Sequence, residues 1–132
     1  MTSTTASRSL ILVVADVEET RDGIERLLSA DGYMVVAARD EDDAVLRTRG
    51  STPSLILMSL PLPTDQLVAV ARRLYVRSGI SEEVPLVLFC IPTLEEGAEL
   101  QTQRNIFLMH PDNFNQIRIF LCRLLRSPRS CD

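Results

Sequence analysis

With 132 residues, the chain is long enough for one domain with a sizeable core. Apolar residues make up 45% and charged residues 24%, with no apolar run of membrane-spanning length and no signal-peptide pattern at Met1–Ser9, so a soluble cytoplasmic domain is expected. The net charge of −4 argues against a general nucleic-acid backbone binder, and because all fourteen basic residues are Arg, lysine-amine chemistry is excluded.

Residues 1–9 are rich in Ser and Thr and read as a disordered tail ahead of a single domain, residues 10–126. Leu10–Ala15 (LILVVA) is a buried strand. The acidic stretch Asp16-Val17-Glu18-Glu19 then leads into a helix carrying Ile24, Leu27 and Leu28 inward and closed by Asp31-Gly32. Tyr33–Ala38 is the second strand. Asp40–Arg49 is a short helix with Ala44, Val45 and Thr48 facing inward.

Leu55–Ser59 organises the rest. It is an unalternating apolar run ended by one small hydroxyl and then by Pro61 and Pro63, the pattern of a strand buried on both faces. Thr64 or Asp65 caps the next helix, whose core positions Leu67, Val70, Ala71 and Leu74 leave Arg72, Arg73 and Arg77 on the wet side. Pro85–Ile91 is the fourth strand. Thr93 and Glu96 form a capping box for a weak helix, Leu94–Gln103, which contains Gly97. Asn105–Met109 is the fifth strand, ended by His110-Pro111. Asp112 caps a last helix to about Arg126, with Phe114, Ile117, Leu121 and Leu124 on one stripe; residues 127–132 are a frayed end.

Five strands alternating with five helices imply a parallel sheet with helices on both faces, in the flavodoxin-like order 2-1-3-4-5. No glycine-rich loop follows the first strand, which disfavours a nucleotide-phosphate site. His110 is the single histidine, and Cys90, Cys122 and Cys131 lack metal spacing and read as free thiols.

Ile11-Leu12-Val13-Val14-Ala15-Asp16, LILMSLPLP, PLVLFCI and MHP at these spacings resemble a bacterial response-regulator receiver domain, the CheY-like family, over residues 10–126. The resemblance implies a module of two-component phosphorelay signalling. In that family an acidic pair after the first strand and a phospho-accepting aspartate ending the third hold Mg²⁺. A Thr or Ser ends the fourth strand, and Lys-Pro ends the fifth. Here those positions are Ala15 and Asp16, Ser59, Cys90, and His110 before Pro111, with Phe107 at the aromatic switch position.

These departures have chemical consequences. Mg²⁺ needs hard oxygen ligands and carboxylate charge, and Asp16 is the only remaining candidate ligand beside a neutral Ser59, so binding is expected to be weak or absent. A serine hydroxyl is a weak nucleophile without a base. His110 as that base is weighed against His110 as a filler of the lysine's space, and Phe107 as a rotating switch against simple core packing. The expectation is a degenerate, non-enzymatic pseudo-receiver. It would bind a signalling partner, a histidine kinase or downstream effector, without phosphorylation, and would bind neither nucleic acid nor membrane.

The family's output surface, the fourth helix, fifth strand and fifth helix, places Ile119 and Cys122 outward among Arg118, Arg123 and Arg126 as a docking or self-association face, a homodimer included. Two alternatives stay open. One is a phosphorelay receiver using Asp16 or Asp65 as acceptor, or modified at Ser59. The other is a sensor of a small ligand or anion at the strand ends.

Overall fold

The computed structural model describes residues 9–89, 97, 99–103, 105–110 and 114–125. The elements run β1 (Leu10–Ala15), α1 (Glu18–Ala30), β2 (Met34–Ala38), α2 (Glu41–Arg47), β3 (Leu55–Ser59), α3 (Thr64–Ser78), β4 (Leu86–Leu88), β5 (Glu99–Gln103), β6 (Ile106–Met109) and α4 (Phe114–Leu125). They build one sheet of order β2-β1-β3-β4-β6-β5.

Five strands are parallel and keep the expected order, with Val13 paired to Leu57, Leu57 to Val87 and Val87 to Phe107 across the middle. The unalternating apolar runs have the predicted cause. Residues Leu55, Ile56, Leu57 and Met58 are all fully buried, because successive side chains enter two separate cores. One core lies under α2 and α3 and takes Ile56, Met58, Leu67, Val70, Ala71 and Leu74; the other lies under α1 and α4 and takes Leu55, Leu57, Ile24, Leu28, Ile117 and Leu121.

One element departs from expectation. The predicted helix Leu94–Gln103 is, over Glu99–Gln103, an edge strand antiparallel to β6; Leu94, Thr93 and Glu96 lie outside the described residues. Gly97 has φ +87°, the left-handed region that stops an α-helix. Its N–H donates to the His110 carbonyl at 2.6 Å, and its own carbonyl accepts from Gln116 Nε2 at 2.8 Å. Leu100 then lies opposite Leu108 on the sheet, a pairing that the few apolar residues of a helix here would not match. The sheet therefore has six strands, and four helices are present among the described residues.

Candidate functional site

The C-terminal ends of β1 and β3 are adjacent: Ala15 is the register partner of Ser59. Ala15 is 1% exposed, Ser59 is half-buried and Asp16 is exposed. Among the described residues, Asp16 is the carboxylate that directly follows this junction in the chain. Ser59 makes no side-chain hydrogen bond among the described residues. His110 lies just past the end of β6, with all of β4 between it and Ser59, roughly 10 Å away at the usual strand spacing. Its Nδ1 is buried without a hydrogen-bond partner among the described residues. Among the described residues, no hydrogen bond joins His110 Nδ1 to the Ser59 hydroxyl. Cys90 lies outside the described residues. Phe107 is half-buried and meets Phe120 edge-on, with centroids 5.7 Å apart and an 80° interplanar angle, so it packs against α4.

Arg21 was not anticipated from the sequence. Met34 N–H donates to the Ser9 carbonyl and Ser54 N–H to that of Leu10, so odd-numbered β1 carbonyls face β2 and even-numbered ones face β3. The Ala15 carbonyl thus faces β2, which stops at Ala38. The Arg21 Nη1 satisfies it at 2.7 Å. A helix residue six positions on closes the sheet where the ladder runs out.

The loops above the junction are apolar. Val17, the N-cap of α1, is 50% exposed and gives no side-chain cap. In Leu60–Pro63 the Leu62 N–H donates to the Leu60 carbonyl at 2.8 Å, a tight turn about Pro61 that fits proline's fixed φ. Pro63, rather than Thr64 or Asp65, is the N-cap of α3, again without a side-chain bond. Leu60 packs partly onto the core, while Leu62 is 38% exposed.

No protein-family model and no curated protein matches the chain. Solved structures do match it. The receiver domain of the hybrid histidine kinase CckA superposes with TM-score 0.62 at 20% identity, over 88% of this chain and 98% of that one. The signal receiver domain of a signal transduction histidine kinase from Syntrophus aciditrophicus gives TM-score 0.66 at 18% identity, over 89% and 90%. The chemotaxis response regulator CheY4 of Vibrio cholerae gives 0.62 at 18%, over 90% and 100%.

The chain has the CheY-like receiver fold. Within that fold Ala15, Asp16 and Ser59 lie together at the ends of β1 and β3, and His110 follows directly after the last parallel strand.

The expected docking face on the last helix does not form as drawn. Cys122 is fully buried rather than outward, and it is disulfide-bonded rather than a free thiol, its partner lying outside the described residues. The helical stripe is wider than Ile117 and Leu121 alone: Phe120 and Cys122 are also buried, because α4 packs against both α1 and the sheet. Arg118 turns to α1, its Nε and Nη2 on the two Asp31 oxygens at 2.7 and 2.8 Å. Ile119 is 51% exposed, and the Arg123 guanidinium stands 5.3 Å over the Phe120 ring. Arg126 lies outside the described residues. The helix that would have completed this face is replaced, over Glu99–Gln103, by β5.

Proposed function

We propose that this receiver-fold chain works in two-component signalling as a phosphorylation-independent interaction module and not as an enzyme. One observation carries the reading: at the β1–β3 junction a buried alanine faces a serine, with exposed Asp16 as the one carboxylate directly following it among the described residues. The donor chemistry at this junction does not match magnesium, which takes oxygen ligands in near-ideal octahedral geometry and is usually anchored by carboxylates. The separation of Ser59 from His110 by β4 supports the same reading, since among the described residues no base hydrogen-bonds to the hydroxyl to raise its nucleophilicity. The partner is then a histidine kinase or downstream effector met in the cytoplasm; no helix among the described residues is long and apolar enough to cross a membrane.

The test is incubation of the full chain with acetyl phosphate and Mg²⁺, followed by intact mass. The expected spectrum shows the unmodified chain. A stoichiometric phosphoryl adduct would overturn the reading, and peptide mapping to Asp16, Ser59 or Asp65 would then identify the acceptor.

A further inference from the structure

We infer that Cys122 is joined to Cys131, and that this disulfide is a redox switch on α4, opened and closed by the small thiols around the chain. The inference rests on the proposed function only for its compartment, the cytoplasm.

The chain holds three cysteines, Cys90, Cys122 and Cys131. Cys122 is disulfide-bonded, so its partner is one of the other two. The fold excludes Cys90 by position along the strands. α4 follows β6, so it starts at the C-terminal edge of the parallel strands and runs toward their N-terminal edge. Arg118, about one turn before Cys122, already bonds Asp31, the C-cap of α1. Asp31 belongs to the N-terminal edge, since Met34 N–H, three residues on, donates to the Ser9 carbonyl ahead of β1. Cys122 lies about 6 Å further in the same direction.

Position 90 directly follows Phe89, whose N–H donates to the Met58 carbonyl at the C-terminal edge. The five residues of β3 separate the two edges by roughly 16 Å. A disulfide joins Cα atoms no more than about 6.8 Å apart. The alternation of β4 agrees. Val87 and Phe89 enter the core beneath α1 and α4, and Leu86 and Leu88 the opposite core, so the next position belongs to the face away from α4. Cys131 meets no such obstacle. It is six residues past Leu125, the end of α4, and at about 3.3 Å per residue that length of chain spans the last turn of the helix back to Cys122.

The bond stands apart from the framework of the fold. Cys122 is in neither of the two cores. At 3.6 residues per turn it stands about 140° round α4 from Ile117, between Arg118 and the half-exposed Ile119. Opening the bond therefore leaves the sheet and its two cores in place.

In the cytoplasm standing disulfides are reduced, and those that form are mostly transient and redox-sensing. The reductant is a low-molecular-weight thiol such as glutathione. Its thiolate attacks one cystine sulfur, forms a mixed disulfide and releases the other cysteine, which takes up a proton. A second glutathione thiolate attacks the mixed disulfide and releases the remaining cysteine as a thiol. Two electrons pass to the protein, and the two glutathiones leave as their own disulfide. The chain beyond Leu125 is then untied from α4, and the helix flank beside Ile119 carries a free thiol. Oxidised glutathione reverses both steps.

The experiment uses the full chain. Prepared without reductant, denatured and treated with iodoacetamide, it should gain one adduct, on Cys90. Tryptic digestion should release Ile119–Arg123 linked to Ser130–Asp132. Under native conditions millimolar reduced glutathione should raise the adducts to three, and oxidised glutathione should return them to one. ¹⁵N spectra of the two states should differ over residues 118–125 and coincide over β1 and β3, and Cys131→Ser should give the reduced pattern without reductant. Ile119–Arg123 linked instead to Ser78–Arg104, the peptide holding Cys90, would overturn the pairing. Three adducts without reductant, resistance to glutathione, or loss of dispersion across the whole spectrum on reduction would each overturn the switch. No phosphoryl donor is present, so failure here leaves the acetyl phosphate result standing, and the reverse also holds.

Discussion

Two corners of the sheet's C-terminal edge are built on opposite principles. Where β2 gives way to α2, the carboxylates are tied into hydrogen bonds and ion pairs. Asp40 accepts from Asp43 N–H, Asp43 Oδ2 accepts from Arg39 N–H, and Asp43 Oδ1 pairs with Arg47 at 3.1 Å. Glu41 then takes Arg73 at 2.6 Å and Arg77 at 3.0 Å, tying α2 to α3. Where β1 and β3 end, the helices start on Val17 and Pro63, uncapped, with apolar side chains in the open. Both corners belong to the same fold and share the same sheet. The contrast teaches that the sheet edge does not impose one kind of helix start: the same edge carries a capped start at Asp40 and uncapped ones at Val17 and Pro63.

The largest effect that sharpens the contrast comes from within β3 itself. Leu57→Ala should destabilise the chain by about 2–5 kcal/mol, because Leu57 is fully buried in the core beneath α1 and α4. Two residues on, Ser59→Ala should change stability by less than about 0.5 kcal/mol, since a half-buried hydroxyl without a partner among the described residues gives up little. Urea unfolding of both variants measures the difference. A Ser59→Ala loss approaching that of Leu57→Ala would mean that the junction is a structural keystone, not a silent site.

Next in size is the capped corner. Asp40→Ala removes the acceptor for Asp43 N–H and should cost about 1 kcal/mol in the same assay. At the bare corner the sign reverses: Val17→Ser should gain up to about 1 kcal/mol by adding the missing acceptor. If both changes destabilise, the α1 start is held by contacts that a serine breaks, and the comparison between corners fails.

How much of this was legible follows from which forces are local. The parallel strands and the two-sided burial of Leu55–Met58 could be read because unalternating apolar runs have one ready explanation in an α/β chain. The meeting of Ala15, Asp16 and Ser59 followed from strand order alone. Residues 99–103 were misread as helical because a capping-box pattern outweighed Gly97, while the pairing of Leu100 with Leu108 depends on a partner strand that local periodicity does not show. Cys122 was misread, and the Asp31 partner of Arg118 missed, for a related reason. A four-residue stripe predicts one buried face, but α4 packs against α1 as well as the sheet, and the mate of Arg118 is 87 residues away. The Arg21 bond to Ala15 needed the carbonyl direction, which no side-chain pattern encodes.

The smallest expected effect is the pH response of the capped corner. The Glu41 carboxyl is held below its ordinary value of 4.5, first by the Arg73 hydrogen bonds, against a burial penalty, and then by Arg77. A carboxyl whose folded value is depressed stabilises the fold above its unfolded value and loses that contribution as pH falls through the folded one. Both arginines are substantially exposed, so the ties are screened by water and weak. Glu41→Gln should lower the melting temperature by about 1–3 °C at neutral pH. The gap between variant and wild type should begin to narrow as pH falls below 4.5 and close as it passes through the lower folded value, where the folded wild-type carboxylate is itself protonated. Added salt should shrink it at neutral pH as well. A gap that neither narrows as pH falls below 4.5 nor shrinks with salt would assign the role of Glu41 to packing, and the two corners would then differ in their apolar contacts rather than in their charges.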